Sequence, residues 1–128
     1  MKVERQHKNM NSRIKKMWLK ALRSGKYKQA RRAMMSNFGG ETKYCCLGVL
    51  ADLYEKDTGK KCRQLNENSD YPKASVAKWA GIDPRRGFAG MICDPYVTVA
   101  GEETTLSKLN DEKTKSFKQI ANVIEKHL

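Results

Sequence analysis

Long apolar runs are missing from this sequence. The longest, Cys45 to Ala51, stops far short of the ~18 residues that suggest a membrane-spanning helix, so no membrane association is expected. Histidine is nearly absent too: His7 and His127 lie at the two ends, leaving no base beside any cysteine for nucleophilic catalysis. The four cysteines, Cys45, Cys46, Cys62 and Cys93, contain no CxxC pair, and adjacent residues on a helix point about 100° apart. Reduced, buried thiols are therefore expected in place of a metal site. Neither Gly39-Gly40 nor the run from Gly87 to Gly90 matches a Walker loop or a dinucleotide fingerprint. No two carboxylates have a spacing that suggests an acid and a base. These absences predict no enzyme, no cofactor and no metal. The opening MKVERQHKNM lacks the apolar core of a signal peptide, which predicts a cytoplasmic location.

What is present is positive charge, concentrated in one place. Residues 1 to 32 hold twelve Lys or Arg against the single acid Glu4, a net +11 within a whole-chain net charge of +12. The remaining residues are nearly neutral. Such a localised field attracts phosphates by steering and by counterion release, whatever the fold. A solvated, solubilising helix face is the alternative reading of the same residues.

With 128 residues and 39% apolar side chains, the chain can bury one modest core. A compact single α+β domain of about four helices with one or two short β-hairpins is expected over 11–128, after a flexible basic segment at 1–10. Ile14, Met17, Trp18, Ala21 and Leu22 fall on one face of a helix capped by Asn11 or Ser12 and ended by Gly25. Arg13, Lys15, Lys16, Lys20 and Arg23 then form its basic outer ridge. Short strands flank Gly39-Gly40 between Tyr27 and Tyr44. A buried helix is expected over Cys45 to Lys56, with Gly48 marking close packing and Gly59 its end. A third helix follows Asp70 and Pro72, carries Val76, Trp79 and Ala80, and stops at Gly81. Tyr96 to Ala100 is a strand, answered by Thr104 to Leu109 as a strand or a short helix. Asn110 and Asp111 cap or turn the backbone locally. Ser116 and Gln119 form a capping box before a last helix striped by Phe117, Ile120, Ala121 and Ile124.

Four blocks, LRSGKYKQ (22–29), YCCLGVLADLY (44–54), VAKWAGI (76–82) and LSKLNDEKTKSFKQIANVIE (106–125), can be read together. They resemble a family of small uncharacterised proteins of tailed bacteriophages, which share ALRSGKYKQ, CCLGVL, WAG and LxxLND followed by SFxxIAxxIE. The stretch RRAMMSNFGGETK departs from that pattern, where the family has a shorter, more Gly-rich hairpin. The resemblance implies phage origin, action in the host cytoplasm and an accessory, non-virion role that binds and blocks a host component.

The candidate ligand-binding residues lie where the chain leaves the basic helix. Lys26, Tyr27, Lys28 and Gln29 combine cations, a ring and an amide that can stack on a base and hold its phosphate. Arg23, Arg31 and Arg32 extend the cluster, and Arg85 with Arg86, beside flexible glycines, can hold a second phosphate. The alternative reading is a strand start whose Tyr27 packs and whose lysines are solvated, with Arg85 and Arg86 two solvated loop arginines. Exposed members of the cluster, Lys26, Lys28, Arg31 and Arg32, should contribute little to folding. The expected function is non-enzymatic sequestration of a phosphate-bearing ligand as a counter-defence factor, foremost a nucleotide immune signal. Nucleic acid, or an acidic host protein surface to be masked, is the alternative partner. A nucleotide pocket is seldom enclosed by so short a chain, which predicts a homo-oligomer.

Overall fold

Asn11 opens the first helix. In the computed structural model, which describes residues 9–61, 74–82, 94–113 and 115–128, its side chain accepts the Ile14 amide at 3.0 Å and satisfies a donor the helix start leaves orphaned. Helix α1 then spans Ser12–Arg23. Ile14, Trp18 and Leu22 are buried as the periodicity predicts, Met17 and Ala21 are half-buried on the flank, and Leu19 joins the core. The Trp18 indole N–H donates to the Cys46 carbonyl at 3.0 Å, so the largest core side chain leaves no polar group unpaired. Residues 1–8, Cys62, Asp70, Pro72, Arg85, Arg86, the glycine run at 87–90 and Cys93 lie outside the described residues.

Strands β1 (Met35–Phe38) and β2 (Glu41–Tyr44) pair antiparallel, from Met35 opposite Tyr44 to Phe38 opposite Glu41. The two linking residues, Gly39 and Gly40, have φ of 63° and 81°, the left-handed pair that a tight hairpin turn demands. Helix α2 (Cys46–Thr58) runs two residues past the expected Lys56 and ends at Gly59, whose amide donates to the Glu55 carbonyl. Helix α3 is Ala74–Ala80. Strands β3 (Tyr96–Val99) and β4 (Glu102–Thr105) form a second antiparallel hairpin.

The stretch after Thr104 resolves the open choice between strand and helix by using both. Thr105 closes β4 and also caps helix α4 (Leu106–Asp111), its side chain accepting the Lys108 amide. With that short helix the described residues hold five helices, where about four were expected. Helix α5 (Phe117–His127) carries the full Ser116–Gln119 capping box. The result is a mixed α+β domain with five helices and two hairpins among the described residues. Its core gathers Trp18 of α1, Leu47 and Leu50 of α2, Leu106 and Leu109 of α4, and Ile120 and Ile124 of α5. No helix among the described residues is long and apolar enough to cross a membrane.

Residues 10, 11 and 128 are stitched into this core. Met10 is buried, its amide donates to the Leu128 carbonyl at 3.1 Å, and the Asn11 amide donates to Ala80 at 2.8 Å. Met10 therefore packs with the domain, although the flexible segment was expected to include it.

Gly48 packs directly against the backbone of Met34. A Cβ built there would lie 1.9 Å from the Met34 carbonyl oxygen, which already accepts the Cys45 amide at 3.1 Å. Alanine is the better helix former by about 1 kcal/mol, but a backbone clash of this depth outweighs that gain. Gly48→Ala should destabilise the protein by about 3 kcal/mol, read as a lowered urea midpoint. A neutral or stabilising effect would show that α2 and residue 34 are not in contact.

Candidate polyanion-binding face

Helix α1 contains no acidic residue. Asp57 of α2 takes Arg13 in a two-pronged contact, both distances 3.1 Å, and also accepts the Trp79 indole N–H at 2.9 Å. These hydrogen bonds, Arg13 first, hold the Asp57 carboxyl below its ordinary range. Glu125 of α5 takes Arg23. Lys16 and Lys20 are exposed, as is Lys26 just beyond the helix, and none of the three has an ion-pair partner among the described residues. The ridge expected from the sequence is thus present, neutralised at Arg13 and Arg23 and open between and beyond them.

The segment from Lys26 to Arg32 divides into an outer and an inner set. Lys26 is exposed, and Lys28 pairs with Glu41 across the hairpin at 2.5 Å. Arg32 adopts a left-handed φ of 62° with its amide on Asp111 Oδ1 at 2.8 Å, and its side chain stays outside. Tyr27, by contrast, is half-buried. Its hydroxyl donates to Asp52 at 2.5 Å, its ring meets Tyr44 edge to face at 5.1 Å, and Lys56 Nζ lies 5.5 Å from the ring centre. Burial, then the bond to Asp52, pushes its phenol pKa up. A ring held in this way is not presented for stacking on a base. Gln29 donates to Asn110 Oδ1 at 2.7 Å and to the Lys115 carbonyl at 2.8 Å. The Arg31 guanidinium donates to the carbonyls of Asn110 and Lys115. Arg31 is exposed, and these bonds tie its guanidinium to the fold.

Asn110 is where Gln29 and Arg31 converge. It is fully buried; its Oδ1 accepts from Gln29 and from the Cys46 amide at 3.3 Å, and its Nδ2 donates to the Ala30 carbonyl and to Asp111 at 2.8 Å each. Every donor and acceptor position of an amide side chain is thereby used. The local cap expected of Asn110 is in fact a long-range tie between α4, the first turn of α2 and the 29–32 segment. Nothing in the local sequence signals this, because the partners other than Asp111 lie 64 to 81 residues away in the chain.

Next to it, Cys45 caps α2, its sulfur accepting the Gly48 amide at 3.3 Å. Burial pushes the Cys45 thiol up to about 12 and the Cys46 thiol well above its ordinary value. Both thiols are free and buried, so neither supplies a thiolate at neutral pH. Among the described residues no three His, Cys, Asp or Glu side chains gather as a metal would require. Asp94 is buried, with Oδ2 accepting from Ser107 Oγ at 2.6 Å and Oδ1 from the Ser107 amide at 3.0 Å. Burial raises its pKa against those bonds. Its geometry is that of a carboxylate holding the start of α4.

Residues 10–128 match the family model of a domain of unknown function, DUF8296, and the chain belongs to that family. No curated protein and no solved structure matches it.

Removing the Asn110 side chain would take away the acceptor of the Cys46 amide and the donor to the Ala30 carbonyl, and would leave the Gln29 side chain only its bond to the Lys115 carbonyl. Unpaired buried groups cost more than the bonds themselves contribute, so Asn110→Ala should lower stability by about 3 kcal/mol in urea unfolding. Asp111→Ala, which spares the amide's bonds to Gln29, Cys46 and Ala30, should cost less. Equal effects, or a loss below ~1 kcal/mol for Asn110→Ala, would contradict the role assigned to Asn110.

Proposed function

We propose that this protein binds the phosphate backbone of a nucleic acid along α1 and does not turn its ligand over. The observation that carries the reading is the exposed, unpaired row Lys16, Lys20 and Lys26 on and just after a helix without acids. Arg23, Lys28 and Arg32 flank it. A nucleotide immune signal would need an enclosing wall with an aromatic and polar side chains. Tyr27, Gln29 and Arg31, the candidates for that wall, are engaged with Asp52, Asn110 and Lys115. An open ridge suits an extended polyanion better, and it needs no second subunit. The high thiol pKa values of Cys45 and Cys46 support a binding role over a nucleophilic one. The resemblance to tailed-phage proteins supports an accessory role in an infected cell.

Fluorescence anisotropy with a labelled duplex across a salt series tests this. Affinity of the parent should fall steeply with salt, because each neutralised phosphate releases counterions. Lys16→Ala, Lys20→Ala and Lys26→Ala together should weaken binding and flatten the log–log salt slope by about three. The melting temperature should hardly change, since exposed charges contribute ~1 kcal/mol or less. Unchanged duplex binding by the triple variant would overturn the proposal. Tight, weakly salt-dependent binding of a small nucleotide would favour the pocket reading instead.

A further inference from the structure

Arg23 is the last residue of α1 and the point where the ridge meets α5. Its Nη2 donates to Asn122 Oδ1 at 2.9 Å and to Glu125 Oε1 at 2.8 Å. Lys15 Nζ donates to the Glu125 backbone carbonyl at 3.0 Å. Lys16, Lys20 and Arg23 are spaced by four and then three residues, so they share one side of the helix and span about 10 Å along its axis. Asn122 and Glu125, three apart on α5, meet the end of that row. The Asn122 amide nitrogen has no partner among the described residues.

A guanidinium fork fits a carboxylate and a phosphate equally well. The Glu125 carboxylate therefore occupies at Arg23 the place that an anionic phosphodiester oxygen would take. The pair is exposed on both sides, 36% for Arg23 and 60% for Glu125, and such pairs contribute ~1 kcal/mol or less. A phosphate reached also by Lys20 can displace it.

Resting on the nucleic-acid reading above, we propose that Arg23 and Asn122 form a phosphate seat at the end of the ridge, with Glu125 its resident competitor. On binding, Glu125 swings away, Arg23 donates to a phosphodiester oxygen, and the Asn122 amide adds a second donor. Glu125 thereby limits affinity for any polyanion laid on the ridge.

The test is a double-mutant cycle on the full chain, read by anisotropy with a labelled 20-base-pair DNA duplex. Glu125→Gln should tighten binding about fivefold, the ratio equivalent to one exposed ion pair, with an unchanged melting temperature. That gain should vanish in the Arg23→Ala background. If Glu125→Gln tightens binding equally with and without Arg23, Glu125 is a general surface charge and the seat is refuted. If Glu125→Gln has no effect while the lysine triple variant still weakens binding, the seat is refuted and the ridge stands. If the triple variant binds like the parent, the ridge falls and the seat with it.

Discussion

One buried amide organises the basic end of this molecule. Asn110 sits on a six-residue helix that has little intrinsic stability of its own, yet it satisfies the first amide of α2, the carbonyl of Ala30 and the side chain of Gln29 at once. In a low-dielectric interior a fully paired amide of this kind specifies one arrangement, because any other leaves several groups unpaired. The segment that follows α1 is pinned by it. Residues 28–30 then run beside β2, with the Tyr44 amide on Lys28 and the Ala30 amide on Tyr44, and Arg32 turns through a left-handed conformation onto Asp111.

That pinning decides which cations face solvent. Tyr27 and Gln29 are half-buried against Asp52 and Asn110, Arg31 stays exposed with its guanidinium on the carbonyls of Asn110 and Lys115, and Lys26, Lys28 and Arg32 are exposed without such ties to that network. On α1 the same division comes from its own periodicity: the Trp18 face is buried, and Lys16 and Lys20 fall opposite. Two acids from neighbouring elements, Asp57 and Glu125, close on Arg13 and Arg23. Among the described residues, the charge of α1 thus becomes a short open row, Lys16 and Lys20, between two ion pairs, with Lys26 exposed beyond the second.

Features governed by near neighbours were legible in the sequence. The α1 stripe, the Gly39-Gly40 turn, the Gly59 end of α2, and the Ser116–Gln119 box each depend on residues within a few positions, and each is where the pattern placed it. Gly48 announced close packing but not its partner, since the Met34 carbonyl approaches from a different element. Helix α4 stayed undecided between strand and short helix because six residues cannot repeat a stripe and Thr105 serves strand and cap together. The site was legible as charge and illegible as geometry. A Tyr, Gln or Arg beside a basic helix reads the same whether it faces a ligand or a distant Asn110, and only the tertiary fold separates those roles.

The central claim, that the fold reserves the α1 row for a polyanion and keeps the Tyr27–Arg31 segment as its scaffold, is tested most directly by amide chemical-shift mapping. A labelled sample titrated with a short DNA duplex at low salt should show its largest shifts at Lys16, Lys20, Arg23 and Lys26, with Cys46 and Asn110 nearly still. Shifts centred on Tyr27, Gln29 and Asn110, or none along α1, would contradict it.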